Sequence, residues 1–323
     1  MARHRRKNRK KEKISSVFFT LLAMAAAFAI LVTLNSTLHF SNALPSWQQI
    51  RTEFESYLKD SRYETQPVSG TAKVHFIDVG QGQCTLIQAD GSTVLIDAGE
   101  NDQGEKVVSY LKSQGVTQID YAVGSHPHSD HIGGLDVVID AIPTQNIILP
   151  KLQEGIIPTT KTYLDLLDAI ERNHVQVITA KVGEEYPLKG GCIRVLGPSG
   201  NFKDLNSMSV GIKFTYGERS FLTTGDMEQE AEEALLQTGE NLKADVYALG
   251  HHGSKTSNSM DLLRKVQAKY YIAQVGYRNE YGHPHKEVLE RVKKLKGTFL
   301  RSDQDGTVVF TTDGKSLEYT KEK

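Results

Sequence analysis

The sequence predicts an α/β domain in which two β-sheets pack together with helices outside them. Three observations point to it. Short apolar runs recur from Thr71 onward, each closed by a polar loop containing Gly, Asp or His. Stretches of helical periodicity separate many of these runs. Seven of the eleven histidines fall in three strand-end loops, at 126/128/131, 251/252 and 283/285. Loops at the ends of strands in layered α/β structures are free of packing duties, so ligands and reactive groups gather there.

The chain has 323 residues, enough for one large domain with accessories or two average domains. With 39% hydrophobic and 24% charged residues, most of it is expected to pack a core. The formal net charge of -1 hides an asymmetry: residues 1–13 carry eight Lys/Arg against one Glu. The remainder has 30 Lys/Arg and 38 Asp/Glu. An acidic body is a poor general sink for polyanions, so nucleic-acid handling would depend on a local patch or a metal. Cys84 and Cys192 form no disulfide framework. Two buried free thiols are expected, with a single 84–192 bridge as the alternative.

In chain order, the basic head (1–13) is followed by a signal anchor (14–40). Its charge-free run, Val17 to Leu34, is long enough to cross a bilayer. Cleavage after a small-x-small site, Ser41-Asn42-Ala43, is the rival reading. Under both, the head stays in the cytoplasm and the rest lies outside the cell membrane. Residues 41–70 read as a short amphipathic helix and a polar linker, with Trp47 suited to a membrane interface.

The catalytic domain is expected over 71–323. Strands are read at 73–78, 84–88 and 93–97, the last two joined at Asp90-Gly91. A helix follows over 105–114, with Val107, Val108 and Leu111 on one face. The strand 119–123 delivers the His cluster. Helices are read at 135–142 and 160–173, with strands near 146–149, 175–179 and 192–196. A hairpin spans 209–216 and 220–224, and its second strand ends in Gly225-Asp226. A helix (228–236), a strand (244–249), a helix near 261–266 and a strand (270–274) come next. A helix from His285 to Lys296 and three short strands close the chain.

The densest chemistry is His126-Pro127-His128-Ser129-Asp130-His131, an H-x-H-x-D-H cluster. Imidazole nitrogens and a carboxylate together suit zinc and its first-row neighbours. In an extended segment His126, His128 and Asp130 project to one side and His131 to another, so one loop can serve two ions. Asp226 follows an apolar strand, where burying a carboxylate is costly without a partner. A metal pair would offset that cost; the alternative is an N-cap for the helix after it. His75 and His174 are isolated and read as ordinary residues, as do His4 and His39.

These motifs have a familiar order. Phe76-Ile-Asp-Val-Gly-Gln-Gly82, Ser125 to Gly134, Leu222-Thr-Thr-Gly-Asp226, Gly250-His-His-Gly-Ser-Lys-Thr-Ser257 and Tyr281-Gly-His-Pro-His285 resemble the metallo-β-lactamase superfamily. More narrowly, they are similar to the extracytoplasmic hydrolase domain of ComEC-type DNA-uptake proteins. The resemblance covers about 71–323 and leaves out any many-helix channel. It implies a four-layer αββα sandwich and two metal ions, zinc first and manganese as the alternative. By motif, His126 and His128 would bind one ion, Asp130 and His131 the other. Asp226 would bridge, and one of His251 and His252 would complete the second site, His252 by preference with His251 beside the reacting group. Many members supply a third His to the first ion from a loop before the bridging Asp. This chain has Asn206, Ser207 and Ser209 there, which leaves single-ion catalysis open.

The expected chemistry is hydrolysis of a phosphodiester by hydroxide formed from water at the ions. Asp130 would orient that hydroxide. His251 would neighbour the reacting group, and His283 would act as leaving-group acid or phosphate donor. Ser254, Lys255 and Ser257, with His285, would bind substrate oxygens; helix capping is the rival role for 283 and 285. Asp78 and Asp97 would hold the loop scaffold. The partners implied are a phosphodiester, DNA among the options, and the cytoplasmic membrane. Alternatives are a phosphocholine- or teichoic-type surface polymer as substrate, a β-lactam, or a non-catalytic docking domain for an uptake or envelope complex.

Overall fold

A computed structural model of the chain describes residues 70–323, together with Thr33, Ser46, Trp47 and Arg51. The basic head, most of the expected anchor and linker, and His4 and His39 lie outside the described residues. Among the described residues no helix is long and apolar enough to cross a membrane. The Trp47 indole donates to Thr33 Oγ1 at 2.8 Å.

Two sheets carry the fold. The first contains β1 (Ala72–Phe76), β2 (Thr85–Ala89), β3 (Ser92–Ile96), β4 (Ile119–Val123), β5 (Thr144–Leu149) and β6 (Gln176–Thr179). β14 (Val308–Thr312) and β15 (Leu317–Lys321) return from the C-terminus to complete it, in the order β15-β14-β1-β2-β3-β4-β5-β6. The second contains β7 (Glu185–Leu188), β8 (Gly191–Val195), β9 (Ile212–Tyr216), β10 (Arg219–Thr223), β11 (Val246–Ala248), β12 (Tyr270–Ala273) and β13 (Thr298–Arg301). Its order is β13-β12-β11-β10-β9-β8-β7.

Each sheet has a parallel half, and parallel neighbours need helical crossovers. α1 (Gly104–Ser113) joins β3 to β4; α2 (Ser129–Ile132) and α3 (Leu135–Ala141) join β4 to β5; α4 (Lys161–Arg172) joins β5 to β6. In the second sheet α5 (Gln229–Gln237), α6 (Met260–Val266) and α7 (Lys286–Lys294) join β10, β11, β12 and β13 in turn, and α8 (Ser302–Asp305) follows β13.

Side-chain alternation divides the core into three layers of contact. Between the sheets, Val74, Phe76, Ile87, Val94 and Ile96 meet Ile193, Ile212, Phe214, Phe221 and Val246. On the outer face of the first sheet, Leu86 and Leu95 pack under Val107, Leu111, Val138 and Leu166 of α1, α3 and α4. On the outer face of the second, Leu222, Tyr247 and Tyr271 pack under Leu235, Leu262, Leu263 and Val288 of α5 to α7. The result is helices, sheet, sheet, helices. Cys84 is a buried free thiol; Cys192 is also free but only half-buried.

The parallel halves position the chemistry. β3 and β4 run together, so Asp97 and the His126–His131 loop leave one edge side by side. β10, β11 and β12 also run together, so the loops bearing Asp226, His251/His252 and His283 leave one edge of the second sheet.

Candidate metal centre

Asp226 is the hub. It is 2% exposed, and its Oδ1 has no hydrogen-bond partner. His131 Nε2 stands 3.2 Å from that oxygen. Around Oδ2 stand His126 Nε2 at 3.9 Å, His251 Nε2 at 3.6 Å and His252 Nε2 at 3.6 Å. Glu228 occupies the N-cap position of the helix after this residue, without a side-chain cap, so Asp226 is not its N-cap.

Two groups of ligand atoms close to within 4.8 Å of one another among the described residues: His126/His131/Asp226, and Asp130/His131/His252. In the second group His131 Nε2 to His252 Nε2 is 3.2 Å, His252 Nε2 to Asp130 Oδ2 is 3.1 Å, and His131 Nε2 to Asp130 Oδ2 is 3.9 Å. Ligands of one tetrahedral zinc stand about 3.3 Å apart, given bonds of about 2.0 Å. His128 and His251 belong to neither group, although His126 Nε2 and His128 Nδ1 are 3.0 Å apart.

The outer sides of the rings decide which nitrogens face inward. His252 Nδ1 lies 2.9 Å from the Gln274 carbonyl, which only accepts, so Nδ1 carries the proton. His131 Nδ1 is 2.8 Å from Asp97 Oδ2 by the same logic. His126 Nδ1 meets Ser125 Oγ at 3.1 Å and Ser209 Oγ at 3.3 Å. Nε2 of His131 and His252 therefore point their lone pairs at each other and at two carboxylates. Such an arrangement is repulsive until protons or cations enter it. The residues present thus fit a metal centre.

The charge balance agrees. Burial opposes protonation of His131, but Asp226, Asp130 and Asp97 outweigh it and raise its pKa well above the usual value. The same contest raises His252, through Asp226 and Asp130. Burial and neighbouring histidines lower His126 and His128. Asp130 and Asp226 are held low by His131 and His252 despite burial that pushes the other way.

Backbone geometry serves the rings. In the 3-10 turn Gly250–Gly253, His251 (φ 50) and His252 (φ 54) both adopt left-handed conformations, which cost non-glycine residues energy. Asn258 braces the turn: its side chain accepts from Gly250 N and donates to the Gly250 and Ser254 carbonyls. The buried Glu232 carboxylate accepts from the amides of Asn258 and Ser259.

The remaining predicted residues divide. His283 is buried and sits in a parallel stack, 5.6 Å from Tyr281 and 6.2 Å from His252 by ring centroids. Burial, with His252, His251 and His285 nearby, lowers its pKa to about 4. His285 Nδ1 instead accepts from the Lys255 amide at 3.0 Å, and His285 occupies the N-cap of α7. Ser254 is buried with its hydroxyl on Thr256, and Ser257 donates to the Met227 carbonyl. The geometry of these three is that of loop bracing, not of oxygens presented to a substrate. Lys255 is exposed. Asp97 Oδ1 accepts from Ser125 N at 2.8 Å and Asp78 Oδ1 from Gly80 N at 3.1 Å, both scaffold contacts.

Sequence reasoning missed Ser125, Gln274, Glu228, Asn258 and Glu232. Each acts by touching a ligand's outer nitrogen or the loop behind it. Their one legible signal is adjacency to the motifs.

A two-sheet sandwich with this His/Asp centre at its strand ends is the architecture of a metallo-hydrolase. Residues 77–184 match the metallo-beta-lactamase superfamily. The ComE operon protein 3 of Bacillus subtilis is 30% identical over 262 residues, covering 75% of this chain and 33% of that protein. Competence protein ComA of Neisseria gonorrhoeae is 30% identical over 296 residues, covering 90% of this chain and 38% of that protein. The chain spans about a third of the length of these curated relatives. Among solved structures, the CmlA beta-hydroxylase E377D mutant shares the fold, with TM-score 0.50 and 14% identity over 71% of this chain and 52% of that one. The chain belongs to the metallo-β-lactamase superfamily, and within it is a relative of the ComEC-type competence proteins.

Proposed function

We propose that the domain is a metal-dependent phosphodiesterase, held outside the cytoplasm by the anchor expected at 14–40. The observation that carries this reading is Asp226, a buried carboxylate whose Oδ1 faces His131 and whose Oδ2 faces His126, His251 and His252. His126, His128 and Asp226 would hold one ion; Asp130, His131, His252 and Asp226 the other. When bound, such ions, zinc or manganese, supply hydroxide from water near neutral pH and offset phosphoryl charge.

The chain's own groups then have definite tasks. Asp130 is partly exposed, with 23% of its side chain accessible, so it could orient a water held at the ions. His283, neutral at pH 7, offers an N–H to a phosphoryl or leaving oxygen rather than a cationic acid.

For the substrate, the loop after β12 fits a polynucleotide, with a phosphocholine-type polymer as the second reading. Tyr277 and Tyr281 are 70% and 57% exposed, and the Arg278 guanidinium lies 5.1 Å from the Tyr277 ring centroid. Exposed rings of this kind stack on nucleobases without reading sequence; they also attract a choline ammonium, so a panel holding both substrates separates the two.

The test uses the purified full chain. Bound metal is measured, and a chromogenic bis-phosphodiester, single- and double-stranded DNA, a phosphocholine ester and a cephalosporin are offered. Asp130→Ala and Asp226→Ala serve as controls. Metal-dependent cleavage of the phosphodiester, abolished in both variants, is expected. Bound metal with every substrate intact overturns the reading. Cleavage of the simple diester with DNA untouched removes the polynucleotide.

A further inference from the structure

We infer that His251 is a metal ligand, taking at the first ion the place that Ser209 leaves without an imidazole. The inference rests on the two-ion reading above and assigns a residue to it.

Ser209 is committed elsewhere. Its Oγ accepts from Asp226 N at 2.9 Å and lies 3.3 Å from Nδ1 of His126, on the outer side of that ring. From there it braces a ligand and its loop. His126 and His128 bring two nitrogens 3.0 Å apart, and Asp226 Oδ2 stands 3.9 Å from His126. Those three leave one position of a four-coordinate ion open, and a further imidazole would fill it or, together with water, make the ion five-coordinate.

His251 meets three conditions for supplying it. Its Nε2 is 3.6 Å from Asp226 Oδ2, the same separation that His252 Nε2 has. Its Nδ1 is buried without a hydrogen bond, and the Glu228 carboxylate stands 3.5 Å from it. Metal-bound histidines place a carboxylate or carbonyl behind the outer nitrogen, as Asp97 does for His131 and Gln274 for His252. The third condition is strain. Two successive left-handed histidines aim both rings at Asp226, whereas aiming His252 alone gives no reason for the second.

The experiment measures Zn2+ binding to the full-length chain, by elemental analysis and by titration against a competing chelator. Its variants are His251→Gly, Glu228→Gln and Asn206→Ala, the last because Asn206 Oδ1 is also buried and unpartnered. Glycine is chosen because it adopts the left-handed backbone freely.

Wild type is expected to bind two ions. His251→Gly should bind one at wild-type affinity and the other at least about 100-fold more weakly, beyond the usual effect of an outer-shell change. Added imidazole should restore it, and Glu228→Gln should weaken the same ion by about 10-fold. The metal-free His251→Gly protein should melt no lower than metal-free wild type. Two ions at unchanged affinity in His251→Gly overturn the inference. So do a single ion in wild type, no recovery with imidazole, a lowered metal-free melting temperature, or loss of the ion in Asn206→Ala alone. If two ions bind as expected while no phosphodiester is cleaved, the proposed activity fails and the ligand assignment stands.

Discussion

Asp97 Oδ2 lies 2.8 Å from His131 Nδ1, with both side chains wholly buried. The same carboxylate also receives Ser125 N and Oγ at 2.8 and 2.7 Å, so it fixes a ring and the loop that carries it. Removing its charge while keeping its shape isolates the effect on the ring. Asp97→Asn is expected to weaken zinc binding or turnover by about 10–100-fold, the range for loss of an outer-shell partner. An affinity and rate within threefold of wild type would show that the ring is oriented by other contacts.

The motif Phe76 to Gly82 resembles part of an active site, yet it supplies no inward-facing ligand. It forms the surface against which the His loop rests. Gly82 has φ +136, and a Cβ there would lie 2.4 Å from the Asp130 carbonyl oxygen. That oxygen accepts from Gln83 N at 2.9 Å. Gly82→Ala is expected to displace Asp130 or unfold its loop, with thermal stability lowered and turnover reduced about 10-fold or more. Melting curves and steady-state rates check it; Gly80→Ala is the comparison, since no atom lies within 4 Å of a Cβ there.

The strands and the clustering of His and Asp at their ends were legible because both leave local marks, an apolar run and a chemically costly side chain at its end. β7 was not. It is four residues long, carries Pro187, and lies at the outer edge of its sheet, where proline's missing N–H costs no ladder bond. Serine and histidine roles were also opaque. Ser254, Ser257 and His285 look like substrate contacts in sequence, but their polar atoms meet Thr256, the Met227 carbonyl and the Lys255 amide. Whether such a group faces substrate or backbone depends on a loop path that spacing does not encode.

His75 offers a pH test away from the centre. It is 1% exposed, and its Nδ1 is 2.8 Å from the Tyr110 hydroxyl. Burial, then the Lys73 ammonium, lowers its pKa from 6.5 to about 4. The unfolded chain therefore binds a proton that the folded chain refuses between these values. The associated stability is fully present above pH 6.5, falls as pH drops towards about 4, and changes little below that. His75→Phe removes the titration. The difference in stability between wild type and variant should shift by up to about 3 kcal/mol across this window, at 1.36 kcal/mol per pKa unit. Urea melts at pH 7.5 and 4.5 on metal-free protein measure it; a pH-independent difference would exclude His75 as the source.

Zinc uptake should release protons, in a direction the centre dictates. Without metal, Asp226 and Asp130 raise the pKa of His131 and His252 despite burial, so each ring keeps its second proton to higher pH than a free imidazole. Zinc needs the Nε2 lone pairs, and the Nδ1 protons are fixed by Asp97 and the Gln274 carbonyl. The displaced protons must come from Nε2. Protons are therefore expected to leave on zinc binding, and affinity should strengthen as pH rises. Calorimetry in buffers of different ionisation enthalpy counts them. Asp226→Ala removes the carboxylate that contributes most to raising both rings, so it should release fewer protons as well as binding zinc more weakly. An uptake heat independent of buffer would mean that both rings are already neutral, and the charge balance around Asp226 would have to be redrawn.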